Sequence, residues 1–462
     1  MKPASFLVLI SILLSLAYSG FGADRVVQPL SLGEALELAK TSNYQVLIAR
    51  SQLKEADGRN LESWQAFVPK LDVGGSFIRS NDPVFVFGTK LKQGVFTMED
   101  FELDRLNHPD PISNWATTIQ LQQPLINVDA FYGKSAAGLA ERAGEHGLAR
   151  AEEAVALEVE KAYYGLILSH SHLRTIDDAV KSAQTLHHEV EASHQRGLVS
   201  EADLLASQVR LAEMEEQQLT ARLNISNSND YLKFILGMET AVDIVPTDSL
   251  LVTEADFQIE ELPPDTIPVN RHDLLALSFA DKAASRELSM RRSEWIPRLN
   301  AFGGLEWNSA EFLQDTQSNW IFGFQLEWSL LDGLGNWGRS RQAGAKSAAA
   351  RVKYREAEAK SRMEVRQAHR ALLTARERMR VAEKAVVHSR ESLRITEARF
   401  QEGLERVSDV LHREAAYTGA RLRLQRAQHD FKVAQSELDF YLGAPSKSLS
   451  MVDMPATDSV EQ

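Results

Sequence analysis

Two hydrophobic periods run through the chain, and each occurs twice. Between positions 155 and 194 a stripe of apolar and small residues (Val155, Val159, Ala162, Leu166, Ser169, Leu173, Ile176, Val180, Ala183, His187, Val190, His194) advances in alternating steps of four and three. A mean step of about 3.5 is that of a helix held against other helices in a left-handed supercoil. The hexapeptides LKFILG, ending at Gly237, and LDFYLG, ending at Gly443, set an offset of 443 − 237 = 206. At that offset the stripe returns as Ser361, Val365, Ala368, Leu372, Ala375, Met379, Ala382, Val386, Ser389, Leu393, Thr396 and Phe400. Both stripes lie in proline-free segments that begin near Val128 and Gly333. These segments predict helices of about 65 to 70 residues, or about 100 Å each. A globular core does not cover helices of that length.

The second period is two. In 320–330, Trp320, Phe322, Phe324, Leu326, Trp328 and Leu330 fall on one side of an extended chain, with Gly323, Gln325, Glu327 and Ser329 on the other. In 115–123 the pattern is weaker: Trp115, Thr117, Ile119 and Leu121 against Ala116, Thr118, Gln120 and Gln122. Their predicted partner strands, 71–79 and 299–307, each follow a proline, Pro69 or Pro297. About ten residues let a tilted strand cross a hydrocarbon core, and Trp at strand ends suits the girdle of a membrane barrel. One such strand alone is better read as part of a water-soluble sheet; the long helices that follow favour the barrel.

The remaining elements repeat as well. Ser31 with Glu34 forms a capping-box pattern that opens a helix reaching about Ala66, and Asn270 or His272 opens its counterpart. Gly197 and Gly403 stop the long helices, with Ser200 or Ser408 as candidate N-cap of a return helix. Each copy is therefore helix, strand pair, long helix, turn and return helix. Units duplicated in this way bury their apolar faces only once neighbours are in place, which points to assembly rather than catalysis. Between its strands the first copy is longer. Its insertion, 81–111, carries Pro83, Pro109 and Pro111 with Phe85, Phe87, Phe96 and Phe101; the phenylalanines either close over a lumen as a lid or anchor the loop.

Composition narrows the chemistry. Lys2, the apolar run 6–17 and the small residues Ser19, Gly20, Gly22 and Ala23 form an export-signal pattern. After it no stretch approaches the roughly 18 apolar residues of a transmembrane helix. The absence of cysteine excludes disulfides, a thiolate metal centre and a lipidated N-terminal cysteine. A net charge of −13 argues against nucleic acid as a partner. Gly333, Gly335 and Gly338 match G-x-G-x-x-G, yet the strand before them is two-faced and the helix after them too long for a βαβ crossover; they are expected to make a bend. His187 and His194 stand about 10 Å apart on one helix face, too far to share an ion, and are expected to be solvated or to line a lumen. No catalytic, cofactor or metal constellation emerges, so no enzyme activity is assigned.

With its doubled Gly-Leu-x-x-x-x-Asp turn and this order of elements behind an export signal, the chain resembles the TolC family of outer-membrane efflux proteins (outer membrane factors) over about residues 30–445. The resemblance implies a mainly α fold with a small β portion. Long coiled α-hairpins would form an α-barrel tunnel, and four transmembrane strands per protomer would contribute to a twelve-stranded barrel shared by a homotrimer, since about eight strands is the small limit for closure. It implies a passive exit duct of a tripartite efflux or type I secretion system. The duct would sit in the outer membrane of a Gram-negative bacterium, ringed by lipid, with its tunnel in the periplasm. Its partners would be a periplasmic adaptor (membrane fusion) protein and an inner-membrane pump of RND, ABC or MFS type.

By the same resemblance Gly197, Leu198, Gly403 and Leu404 are adaptor-binding tips, and Asp203, Asp409 and Phe400 form a periplasmic gate with rings of carboxylates. Where the family often carries Tyr, Arg and a second Asp, this chain has Phe400, Glu405 and His412, so its gate bonds must differ. The competing role for the two aspartates is to cap the turns. The expected organisation is an export signal (1–23), a first repeat (24–245), a proline- and acid-rich connector (246–268), a second repeat (269–445) and a tail (446–462), with connector and tail as a girdle about the tunnel. A porin-like protein would lack the long helices, and a structural coiled-coil envelope protein would lack the two-faced strands.

Overall fold

The computed structural model describes residues 26–238, 242–252, 268, 270–312 and 318–444. The export signal, most of the connector and the tail lie outside the described residues. In chain order the elements are β1 (Val26–Leu30), α1 (Leu32–Ser42), α2 (Tyr44–Glu62), β2 (Lys70–Ser80), α3 (Pro83–Gln93), α4 (Leu103–Asn107), β3 (Ile112–Ile126), α5 (Val128–Gln195), α6 (Glu201–Leu236), β4 (Val242–Pro246), α7 (His272–Ser293), β5 (Arg298–Ser309), β6 (Ser318–Glu327), α8 (Gly335–Gln401) and α9 (Val407–Leu442). The long helices α5 and α8 hold 68 and 67 residues, and the return helices α6 and α9 hold 36 each. The described residues contain no helix long and apolar enough to cross a membrane.

The chain divides into two compact units. The sheet unit, 52–146 with 274–356, is built on one antiparallel sheet of order β2-β3-β5-β6. Partners directly opposite in antiparallel strands share a face, so the register sorts the side chains. Val73 pairs with Ile119, Ile119 with Leu305, and Leu305 with Trp320. The same face carries Leu71, Phe77, Trp115, Leu121, Leu299, Trp307, Phe322, Phe324 and Leu326. The opposite face carries Asp72, Asn114, Thr118, Gln120, Gln122, Asn300, Glu306, Asn308, Gln325 and Glu327, interrupted by Ile78, Phe302 and Ile321.

All seven tryptophans belong to this unit and gather at the two ends of the sheet. At one end Trp115 sits 4.7 Å from Phe77 and 5.0 Å from Phe312, near Trp307 and Trp320 in register. The other end holds Trp64, Trp295, Trp328 and Trp337, the second and last of these 6.3 Å apart. One expectation fails here: β6 stops at Glu327, so Trp328 and Leu330 are not strand residues. The Trp328 indole instead donates to the Trp295 carbonyl at 3.0 Å. Gly333 and Leu334 then take left-handed backbone angles, φ 63° and 74°, and make the bend before α8.

The insertion is not an irregular loop. Asp82 caps α3 through the Phe85 amide, and Pro83 suits the first helical turn. Phe96 packs edge-on against both Phe87 and Phe101 at about 5 Å, so these rings bind the insertion to itself.

The helical unit comprises the segment up to 51, 147–273 and 357 onward. The Ser31–Glu34 capping box forms, with the Ser31 amide donating to Glu34 at 2.8 Å. The single helix expected from there to Ala66 does not form. Asn43 turns extended (ψ 132°), accepts from the Gln45 amide at 2.8 Å and donates to the Ile235 carbonyl at 2.7 Å. An asparagine that satisfies the next helix's first amides competes with the helix interior, so the chain splits into α1 and α2. A second feature was not anticipated. β1 and β4 pair in parallel, Val26 with Val242 through Leu30 with Pro246, clamped by Asn229, whose side chain bonds the Ile244 amide and carbonyl. Their core joins Leu36, Tyr163, Leu166, Leu232, Leu236 and Ile244. In this unit the buried clusters take in Val155, Val159, Ala162, Leu166, Ile176, Val180 and Ala183 of the first stripe and Ala368, Leu372, Ala375 and Met379 of the second. α5 and α9 are tied by Lys161–Glu437 (2.5 Å), Arg421–Asp178 (2.9 Å) and Gln425–Thr175 (2.8 Å).

Candidate functional site: the paired helix-hairpin turns

The long helices end because a residue with φ above zero closes each of them. Gly197 (φ 73°) donates to the His194 carbonyl, and Leu198 reaches back to Ser193. Gly403 (φ 75°) and Leu404 make the same pair of bonds to Phe400 and Arg399. This double closure satisfies carbonyls that the helix end leaves open. It aims both leucines outward, Leu198 at 70% and Leu404 at 63% exposure. A side chain added at either glycine would meet open space, so glycine serves the backbone angle here and not a close approach.

Beneath the turns lies one apolar cluster drawn from both repeats. Leu186, Val190, Val407 and Val410 are buried in it, with Val199, Leu204, Phe400 and Leu411 packed against them. Phe400, assigned to the gate by resemblance, is thus a partly buried member of the tip core. Asp203 and Asp409 differ. The Asp203 carboxylate accepts from the Ser200 hydroxyl at 2.6 Å, and its amide donates back to that hydroxyl at 3.2 Å, a full capping box. Asp409 is exposed in the first turn of α9, where Arg406 occupies the cap position without a side-chain bond. Ser408, the expected N-cap, lies inside the helix instead: the repeat offset runs from Ser200 to position 406, and that position is arginine. Glu405 pairs with Arg399 at 3.1 Å across the second turn.

Above the tip cluster the packing turns polar before the next apolar cluster, around Ile176, Val180, Ala183 and Met214, begins. His187 bonds Ser207 at 2.8 Å, and His194 meets the Val199 carbonyl at 3.2 Å, so both half-buried rings join α5 to the chain after it. Glu414 is 5% exposed, and both carboxylate oxygens are buried without a hydrogen-bond partner, as is Arg210 Nε. Burial pushes the Glu414 carboxyl above the ordinary range; Arg210 opposes the shift and Glu397 adds to it. Glu397 is itself raised, by burial and by Glu189. Sequence periodicity could not find this layer, because Glu414 lies off the stripe and its neighbours come from other helices.

Over residues 35–238 and 264–444 the chain matches the family described as Outer membrane efflux protein. It is 23% identical over 360 residues to the alkaline protease secretion protein AprF of Pseudomonas aeruginosa, spanning 75% of this chain and 72% of that protein. Its fold is similar to the CmeC outer membrane channel of Campylobacter jejuni, with a TM-score of 0.75 at 17% identity over 91% of this chain and 88% of that one. The outer membrane protein VceC of Vibrio cholerae gives a TM-score of 0.73 at 17% identity over 89% and 96%.

Proposed function

Because this chain belongs to the outer membrane efflux protein family, we propose that three copies of it build a passive exit duct, without catalytic activity, in the outer membrane of a Gram-negative bacterium. The observation that carries this reading is the four-stranded sheet. One of its faces is apolar, and among the described residues nothing pairs with the outer edges of β2 and β6. Each large apolar side chain gains roughly 1.5–3 kcal/mol on leaving water. A face of that many such groups left wet would offset the ~5–15 kcal/mol that holds a typical domain together. Lipid satisfies the face. Closing β6 of one copy on β2 of the next satisfies both edges and yields twelve strands. Tryptophans at both sheet ends suit the two interfaces of a bilayer.

In this reading the long helices form a tunnel in the periplasm. The turns at Gly197, Leu198, Gly403 and Leu404 dock a periplasmic adaptor, and an inner-membrane pump of RND, ABC or MFS type drives cargo through; a secretory cargo accords with the name of the alkaline protease secretion protein AprF. Asp203 and Asp409, three of each around the axis, gate the tunnel over the apolar support that Phe400 provides. The reading is tested by extracting the protein from outer-membrane fractions: a heat-sensitive trimer with an elongated particle is expected, and a water-soluble monomer refutes it. Single-channel recording of Asp409→Ala in planar bilayers tests the gate, with raised closed-state conductance and reduced cation preference expected; unchanged values would remove Asp409 from it.

A further inference from the structure

The insertion between β2 and β3 lies on the polar face of the sheet. Gln93 at the end of α3 donates to the Ser113 carbonyl at 3.0 Å and to Asn114 at 2.9 Å, and Asn114 donates to Asn308 at 2.7 Å. Lys92 pairs with Glu306 at 3.0 Å. Asn114, Asn308 and Glu306 all share the face of Gln120 and Gln325. Val86, Thr89 and Gln93, one helical stripe, are buried. α3 is therefore docked on the side that faces the lumen once the apolar side faces lipid, at the end of the sheet where β2 and β3 are joined.

What α3 and the turns after it expose is in large part apolar. Val84 is 81% exposed and Met98 83%, with Leu91, Val95, Phe101 and Leu103 also exposed. All three cations of the same segment are paired within the unit: Lys90 with Asp100 at 2.6 Å, Lys92 with Glu306, and Arg105 with Glu99 at 3.1 Å and Glu102 at 3.5 Å, while Asp104 stays exposed. Inside a closed barrel neither lipid nor a globular partner reaches this surface. Only the same surface on the other two copies does, and no unpaired cation of the segment opposes their apolar contact.

We infer that the 83–107 insertions of three protomers converge through these apolar residues and close the outer mouth of the duct as a lid, latched to the wall by Lys92–Glu306 and Gln93–Asn114–Asn308. The inference rests on the trimeric barrel proposed above. A narrow apolar constriction of this kind blocks water and ions until it is spread, so the duct carries a barrier at its outer end separate from the periplasmic turns.

The chain has no native cysteine, so single substitutions report their neighbours directly. In full-length protein held in outer membranes, Val84→Cys, Met98→Cys and Leu103→Cys are oxidised with copper phenanthroline. Val73→Cys, on the lipid side, is the control. At least one lid variant is expected to give disulfide-linked dimers while Val73→Cys gives none. The second measurement is planar-bilayer conductance of Lys92→Ala/Gln93→Ala, which frees the latch without altering the apolar residues; at least a twofold rise is expected. A trimer that is intact on a mild gel but shows no lid cross-link, or whose conductance is unchanged by the latch variant, overturns the lid while leaving the duct standing. Loss of the trimer itself, with Val73→Cys open to water-soluble maleimide, overturns the barrel and the lid with it.

Discussion

The two helix-hairpin turns share a backbone and differ in what fastens it. Gly197 and Gly403 stand at φ 73° and 75° and close the same bonds, yet the first turn is locked by the Ser200–Asp203 box and the second by an Arg399–Glu405 ion pair beside an unoccupied cap. The contrast continues inward. At the position where the second repeat buries Glu414, the first has Gln208, which is exposed. Repetition has thus kept the dihedral angles and let the side-chain chemistry diverge. A capping box satisfies amides directly, whereas a partly exposed ion pair contributes little and weakens with salt. The second turn is the less firmly fastened of the two.

The largest test sits at the other ends of the return helices, where left-handed glycines recur at Gly237 and Gly443 (φ 64° and 68°). A Cβ on Gly237 would lie 2.6 Å from the Ser42 carbonyl oxygen, and one on Gly443 would lie 3.0 Å from Arg271 Cα, unlike the open tips. Gly237→Ala is expected to cost about 3 kcal/mol, combining left-handed strain with overpacking. Gly443→Ala should cost somewhat less, and Gly197→Ala or Gly403→Ala about 1–2 kcal/mol. Hydrogen exchange at the helix ends would rank them, and equal losses at all four sites would contradict the distinction.

Next in size is pH. The raised Glu414 carboxyl keeps its proton in the closed tip at pH values where an unfolded glutamate has lost it. Its contribution is therefore full in acid and is lost as pH rises through the elevated value. Opening measured by conductance should accordingly increase with pH. Glu414→Gln, which gives the second repeat the amide of the first, should flatten that dependence, because it removes the only proton that this position can lose.

Caps come third. Ser200→Ala should cost about 1 kcal/mol at the start of α6, and Arg406→Ser, which restores the box geometry at the second turn, should add about 0.5–1 kcal/mol to α9. Exchange protection at 201–204 against 407–410 reads both. The smallest effect is ionic strength. Raising salt to about 1 M should loosen the second turn by a few tenths of a kcal/mol through Arg399–Glu405 and leave the first unchanged. A salt response of equal size in both turns would erase the asymmetry.

Much of the site was legible because its signals are local. Gly197 and Gly403 each end a proline-free heptad, and a helix stop followed by an outward leucine needs no distant partner. Ser408 misled because a hydroxyl near a helix start looks like a cap whether or not the chain turns there. Asn43, set between Ser42 and Tyr44 in a helical stretch, offers no sign of the Ile235 carbonyl it will bond. The histidines are alike: spacing excluded a shared ion, but only the position of Ser207 across the hairpin decides what His187 touches.

The residues by themselves determined the two periods, the repeat, the order of its helices and strand pairs, and which side of the two return strands is oily, because each is written in steps of two or of three and four along a single segment. Tertiary structure alone decided the parallel pairing of β1 with β4 across some two hundred residues, the burial of Glu414 between helices of both repeats, and the docking of α3 on the polar face of the sheet. Those outcomes depend on which distant surface arrives opposite a side chain, and a period within one segment carries no information about its partner.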